Sequence, residues 1–341
     1  MMNDKAKEEL REIEKKLEEG VRNVFSSEQY RLWLSAMSRF HDYSVSNILL
    51  IFLQKPNATQ VAGFTTWQRA FHRNVKKGEH GIRIIAPAPY RRTIEAGIVD
   101  SNGNRVLDEN GRQLTQMKEI TVPAYKPVSV FDVSQTEGEP VPSLGVDELT
   151  GNVEKMAVIR KALESISPVP IRFADPGNEA KGYFSPGAGE IVVREKMSDL
   201  QTLKTMIHEI AHASLHTEEG LRKLREEEIP ASRHAMEVQA EGIAFAVCSY
   251  LGLDTSDYSF AYIAAYSAGK EIPELRQSLQ VIRDTAHEIL TGLGEEFQAL
   301  SAKREEKDRG KTSVLESLRE KSEAVRTERA AGPKRRERAL T

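Results

Sequence analysis

The chain has 341 residues, 39% of them hydrophobic, which is enough for two or three cored units, and its 48 basic and 51 acidic residues leave a net charge of -3. That balance excludes bulk charge as an argument for binding nucleic acid or membrane, so only local clustering can speak to either. A single cysteine, Cys248, excludes an intrachain disulfide and suits a reducing compartment, while the charged N-terminus and the short apolar run NILLIFL predict a soluble, cytoplasmic protein with no signal peptide and no membrane span.

From Asp4 to Glu19, Leu10, Ile13 and Leu17 recur at helical spacing among Lys and Glu, which predicts a charged surface helix within residues 1–25. Helices follow over Ser27 to Phe40 and Ser46 to Leu53. From GIRIIAPAPY to ITVPAYKPVSVFDV the pattern becomes short β-type runs punctuated by Gly and Pro, and Asn-Gly signals predict a hairpin in the insertion-like segment 95–116. Pro, Gly, Glu and Ser then concentrate in SQTEGEPVPSLG, which predicts a linker at 138–147 between one domain at 26–137 and another at 148–297. The second domain reads as a helix (Glu148 to Ser165), the strand PIRFA, a hairpin in KGYFSPGAGEIVVRE, and three more helices, the last two over Ala231 to Leu251 and Glu274 to Leu293. Residues 298–341 are charged and poor in apolar side chains, so a disordered tail is expected, with PKRRER as part of its solvated face.

The stretch TMIHEIAHASLH, Thr205 to His216, carries H-E-x-x-H. Ser198 with Gln201 forms a capping-box pattern, and Leu200, Leu203, Ile207, Ile210, Ala211 and Ser214 make a stripe of 3.6 periodicity, so His208 and His212 lie one turn apart on one helix face. Two imidazoles so placed can reach one Zn2+, and Glu209, displaced around the helix, can act as general base toward the water on that ion. His216 is excluded as third ligand, because positions i, i+4 and i+8 span about 12 Å of helix axis, and it is expected instead as a C-terminal histidine favoured by the helix dipole. The helix of PASRHAMEVQAEGIAFAV, opened by Pro230, sets Glu237 and Glu241 one turn apart among small and apolar residues, where carboxylates are costly without a partner. Glu237 as third ligand and Glu241 as acceptor for a ligand imidazole is the arrangement favoured over an exposed acidic face.

H208-E-I-A-H212 followed 25 residues later by E237VQAEGIAFA resembles the ImmA/IrrE type of zincin metallopeptidase, with a helix-borne third glutamate as in gluzincins. The resemblance implies a non-ligand histidine at His216 and a substrate-binding edge strand in GYFSPGAGEIVV, with a structural hairpin equally open. For an oxyanion donor the candidates are Tyr183, His234, Tyr262 and Tyr266.

In the first domain, Phe64 to Arg92 holds seven Lys or Arg against one Glu, interleaved with Phe64, Trp67, Phe71 and Tyr90. Basic residues track phosphates and flat aromatics stack on unpaired bases, although aromatics so spaced also build cores. YSVSNILLIFLQKPNATQVAGFTTWQRAFHRNVKKGEHGIRIIAPAPY followed by YKPVSVFDVSQTEG resembles the N-terminal domain of ArdC-type antirestriction proteins, and the likeness runs on through SFAYIAAY and RDTAHEIL, over about Glu28 to Leu293. The resemblance implies single-stranded DNA as a partner, with Trp67, Arg69, Arg73, Lys76, Lys77 and Arg83 as contact candidates.

The expectation is thus an α+β chain of two domains: an N-terminal α/β domain that binds single-stranded DNA, and a C-terminal zincin-like metallopeptidase domain with Zn2+ as cofactor, acting on an unknown protein or peptide substrate. The resemblance implies antirestriction or DNA protection for a mobile element. The alternatives are a regulatory zinc endopeptidase that cleaves a repressor and a DNA-coating protein with a non-catalytic metal.

Overall fold

The structure, a computed structural model, describes residues 4–141 and 152–300 except 100, 102, 103, 178, 230, 259, 261 and 262. Pro230, Tyr262, the Asn102-Gly103 turn, most of the expected linker and the tail beyond Leu300 therefore lie outside the described residues. The chain forms two compact units, one of Met1–Pro142 with Ser167–Ile289 and the other of Ser143–Ile166 with Leu290–Thr341. Both sequence-expected domains thus contribute most of their residues to one unit.

In the first unit three helices come first: α1 (Asp4–Val24), α2 (Ser27–Arg39) and α3 (Val45–Gln54). The charged helix α1 is longer than its pattern predicts and is more than a surface element, because Ile13, Leu17 and Val21 are buried and it packs on α3. Gly20 permits that approach: a Cβ there would lie 2.8 Å from Leu53 Cδ1. Next come β1 (Val61–Gly63), α4 (Phe64–Ala70), β2 (Arg73–Val75), β3 (Ile82–Pro87), β4 (Tyr90–Gly97), β5 (Thr115–Val122), β6 (Tyr125–Asp132) and β7 (Thr136–Gly138). They form an antiparallel sheet ordered β1-β6-β3, a β4-β5 ribbon and a β2-β7 pair. The insertion at 95–116 supplies the far end of the ribbon, where Val99 bridges Arg105 and Leu107 bridges Gln113.

The residues that carried the resemblance in this region hold the sheet together. Asn47 on α3 donates to Ile85 O and accepts from Ile85 N, both at 2.9 Å, and Gln54, two turns on, does the same with Arg83 O and N, again at 2.9 Å. Two amide side chains thereby satisfy the outer edge of β3, which no strand covers among the described residues. In VFDVSQT, Asp132 caps a single 3-10 turn and accepts from the amides of Thr59 (2.8 Å), Gln60 (3.2 Å) and Ser134 (3.0 Å). Gln135 donates to Glu79 and to His80 O, fastening the KKGEHG turn.

The unit continues with β8 (Ile171–Phe173), β9 (Gly182–Ser185) and β10 (Glu190–Val193), ordered β8-β10-β9, with β8 parallel and β9 antiparallel to the central strand. Against β9 and β10 lies α6 (Asp199–Leu215), which packs on α8 (Arg233–Tyr250), while α7 (Glu218–Glu226), unforeseen from sequence, turns the chain between them. Ser198 caps α6 by accepting from Gln201 N, but the Gln201 side chain accepts from Lys181 and donates to Thr205, so the expected box is half made. Ser214, expected in the buried stripe, is exposed. Ser232 caps α8 by accepting from Ala235 N. A short α9 (Ile263–Ser267) precedes α10, a helix over 272–300 that carries the chain into the second unit. In that second unit α5 (Asn152–Ile166) meets the end of α10, with Ser165 Oγ 2.9 Å from Glu296 Oε1.

Candidate metal centre

On α6, the i, i+4 spacing brings His208 Nε2 and His212 Nε2 to 3.1 Å. From α8, Glu237 sets its Oε2 3.6 Å from each of those nitrogens. A tetrahedral ion bound at about 2.0–2.2 Å needs donor separations of about 3.3–3.6 Å. The three atoms match that triangle closely, so the residues fit a divalent cation with its fourth position open. The carboxyl of Glu237 is held well below the usual carboxylate range, first by hydrogen bonding to His208 and then to His212.

Glu209 points into the same cleft from a buried position, and the backbone N–H of Phe184 on β9 donates to it. Burial pushes its pKa up, against the opposing pull of His208 and His212. A carboxyl whose charged form is disfavoured by burial is suited to accept and return a proton. Gly182 lets β9 come this close to α6: a Cβ there would lie 2.7 Å from Thr205 Cγ2 and 2.8 Å from Val192 O. The resulting cleft, about 620 Å³, runs between β9, α6 and the start of α8. β9 is an edge strand, without a strand partner on its outer side among the described residues. Glu241, one turn beyond Glu237, lines a second cleft of about 320 Å³ with His208, Glu209 and Lys204. Burial raises its pKa, and His208 opposes that rise.

His216 takes a part that sequence reasoning did not assign. Its Nδ1 is 2.8 Å from His212 Nδ1, and its Nε2 is 3.0 Å from Oε1 of the fully buried Gln239. The tautomers follow from the two ends: Gln239 Oε1 accepts, so His216 carries its proton on Nε2; its Nδ1 then accepts from His212 Nδ1–H, leaving His212 Nε2 as a lone pair aimed at the cation. Burial lowers the His216 pKa to about 4. A neutral ring gains little from the helix dipole, which corrects the expectation that the dipole explains this residue. Gln239 was missed because an amide on a buried helix face carries no pattern of its own.

Of the oxyanion candidates, Tyr183 lines the cleft beside His208, Glu209 and Glu237, while the His234 ring lies 6.0 Å from that of Tyr266 and Tyr262 falls outside the described residues. Tyr183 bonds to Arg172, which pairs with Glu190 on the sheet, and Tyr266 is buried with its hydroxyl 2.8 Å from Ser278 Oγ.

The nucleic-acid candidates also divide. Trp67 is fully buried, donates from Nε1 to Phe131 O at 2.8 Å and packs against Phe71 at 5.0 Å between ring centroids, so it has no free face for a base and belongs to the core. Arg73 is spent on β7, donating to Thr136 Oγ1 (2.8 Å), Thr136 O (3.1 Å) and the carbonyls beyond. Arg83 binds Glu9 of α1 and Ser129 Oγ. Lys76 reaches Ser134 O at 3.0 Å, while Arg69 and Lys77 are exposed. Exposed aromatics are present nearby in sequence, at Phe64 and Tyr90.

Among the described residues no helix is long and apolar enough to cross a membrane. Residues 3–131 match the family model for the N-terminal domain of anti-restriction factor ArdC, and residues 166–266 match the IrrE N-terminal-like domain. A Bacillus anthracis protein, "Uncharacterized protein pXO2-81", is 26% identical over 327 residues, covering 89% of this chain and 54% of that protein, so the chain spans about half the length of the curated relative it matches. Crystal structures of the antirestriction ArdC protein from plasmid R388, metal-free and Mn(II)-bound, share 18% identity over 74% of this chain and 86% and 85% of theirs, with TM-scores of 0.42 and 0.41. The ArdC match begins at residue 3 and so takes in α1, which sequence reading had left outside the resemblance. The chain thus carries, in this order, a region that matches the ArdC N-terminal domain and a region that matches the IrrE N-terminal-like domain, the arrangement expected of an ArdC-type two-domain protein.

Proposed function

We propose that the chain binds single-stranded DNA through its ArdC-type domain and cleaves a protein or peptide at the His208, His212 and Glu237 centre, with Zn2+ as the resident ion, in the service of antirestriction for a mobile element inside the cytoplasm. The observation that carries the catalytic half is the position of Glu209, buried beside the three-donor triangle and tied to the edge strand by Phe184 N–H. A structural ion needs no such base at its side. When bound, Zn2+ would polarise a peptide carbonyl and acidify the attacking water. Glu209 accepts the proton from that water and returns it to the leaving amine. β9 receives the substrate as an added strand along its outer edge, so that main-chain hydrogen bonds align the scissile bond with the cleft. Glu241 orients His208. For DNA, the match at residues 3–131 supports the reading, and the exposed Arg69 and Lys77 replace Trp67, Arg73 and Arg83 as contacts.

Glu209→Gln tests the catalytic half. Divalent-metal content should stay at wild-type level while cleavage of a co-expressed partner protein falls by at least ~10²-fold, the usual contribution of a general base. Undiminished cleavage by this variant sinks the assignment. If cleavage is lost but transferred DNA remains protected from restriction, protection belongs to the DNA-binding domain alone.

A further inference from the structure

A second set of nitrogen and oxygen donors lies apart from α6 in sequence and outside the H-E-x-x-H motif. The turn after α2 presents His41 and Asp42, and α10 presents His287. His41 Nδ1 and His287 Nδ1 are 3.0 Å apart, and Asp42 Oδ1 lies 3.7 Å from the first and 3.5 Å from the second. The edges of this triangle, 3.0, 3.5 and 3.7 Å, nearly repeat the 3.1, 3.6 and 3.6 Å of the α6–α8 triangle. Both cluster around the separation that a tetrahedral ion imposes, about 3.3–3.6 Å.

A proton shared between two imidazoles accounts for the N···N contact. It does not account for a carboxylate oxygen placed almost equally far from both nitrogens, whereas a cation at the centre accounts for all three distances. The surroundings fix the donors in place. The His41 ring is mostly buried and packs edge-on against Tyr250 at 5.5 Å, while the side chain of Asp42 is 78% exposed and leaves an open side for a water ligand. Arg283, one turn before His287 on α10, adds positive charge near His41, and Asp284 offsets it at 2.7 Å.

We propose that His41, Asp42 and His287 form a second divalent-metal site, suited by its two nitrogens and one oxygen to a borderline transition ion such as Zn2+, which clamps the turn after α2 to α10. Its ligands come from the two ends of the first unit, so the ion acts as a cross-link between segments about 245 residues apart. The site is independent of the reading of α6 as catalytic.

Metal counting on the untagged full chain tests it, with Zn2+ as the probe. After equilibrium dialysis, wild type should retain about two equivalents, and both His208→Ala/His212→Ala and His41→Ala/His287→Ala about one, with about none when all four histidines are replaced. In the His208→Ala/His212→Ala background, Zn2+ should raise the Tm by a few degrees, and Asp42→Asn, a surface change that spares the fold, should weaken the remaining site by at least the ~10-fold that loss of even an outer-sphere partner costs. A folded His208→Ala/His212→Ala chain that retains no Zn2+ and shows no Tm rise overturns the proposal. Two retained equivalents in His41→Ala/His287→Ala would overturn it equally.

Discussion

At the scale of single residues, the candidate metal centre depends on side chains that are not among its three donors. His212 can offer Nε2 only if its proton sits on Nδ1, and the relay from Gln239 through His216 enforces that tautomer. His216→Leu introduces an apolar side chain of comparable bulk and removes the acceptor. It should weaken divalent-metal affinity by ~10–100-fold, the usual cost of losing an outer partner, with unchanged circular dichroism. Competition with a chromophoric chelator measures this, and equal affinities for variant and wild type would refute the relay. Two of the three donors could be inferred from a spacing, because H-E-x-x-H fixes geometry within a helix. Glu237 emerged only from the energetic argument that a carboxylate among small apolar residues wants a cation. Nothing in the local sequence distinguishes His216 as partner from His216 as bystander, since the answer depends on Gln239, 23 residues away.

Among elements, the same limits apply in reverse for the ArdC-type domain. The periodicity of α2, α3 and α6 located them to within a few residues, because each buries a continuous stripe. The basic and aromatic run from Phe64 to Arg92 suggested a binding surface, yet Trp67, Arg73 and Arg83 join elements together, and composition is silent on which of two equally suitable uses a guanidinium serves. Asp132 shows how much such a joining residue carries. Burial alone would raise its pKa, but hydrogen bonds from Ser134, Thr59 and Gln60 together bring it below the usual value. A depressed carboxylate contributes stability that is present above its unfolded pKa of about 3.9 and fades as pH falls through the lower folded value. Asp132→Ala should therefore cost on the order of 3 kcal/mol at pH 7, since three backbone amides lose their acceptor. The difference from wild type should shrink steadily below about pH 4. Urea titrations at pH 7 and pH 3 provide the check, and a pH-independent difference would remove the carboxylate from the account.

Over the whole molecule, the boundary that composition drew at 138–147 is not a boundary between separate cores. α2 packs on α8, the helix that carries Glu237, and Tyr30, Trp33, Leu34 and Met37 on α2 are all fully buried. Tyr30 meets Phe260 edge-on at 5.1 Å, Phe25 lies 6.3 Å from Tyr266, and a Cβ on Gly242 of α8 would approach the Tyr30 hydroxyl to 3.1 Å. Aromatics from the ArdC-type region thus complete the core of the IrrE-like region. Exposing even three such side chains costs about 5–9 kcal/mol, which equals much of the stability of a typical domain, about 5–15 kcal/mol. Neither half should survive alone. The two tryptophans, Trp33 and Trp67, both lie in the first half, while metal release from a His41→Ala/His287→Ala chain, which keeps only the α6–α8 donors, reports on α6 and α8 in the second. In a urea titration of that full-length variant the fluorescence transition and the release of bound metal should share one midpoint, and fragments 1–142 and 152–300 expressed separately should be insoluble or bind hydrophobic dyes. Separate midpoints, or a soluble and cooperatively folding fragment, would mean that the candidate metal centre stands without the ArdC-type region. The link between the two would then have to be sought in a shared substrate instead of a shared core.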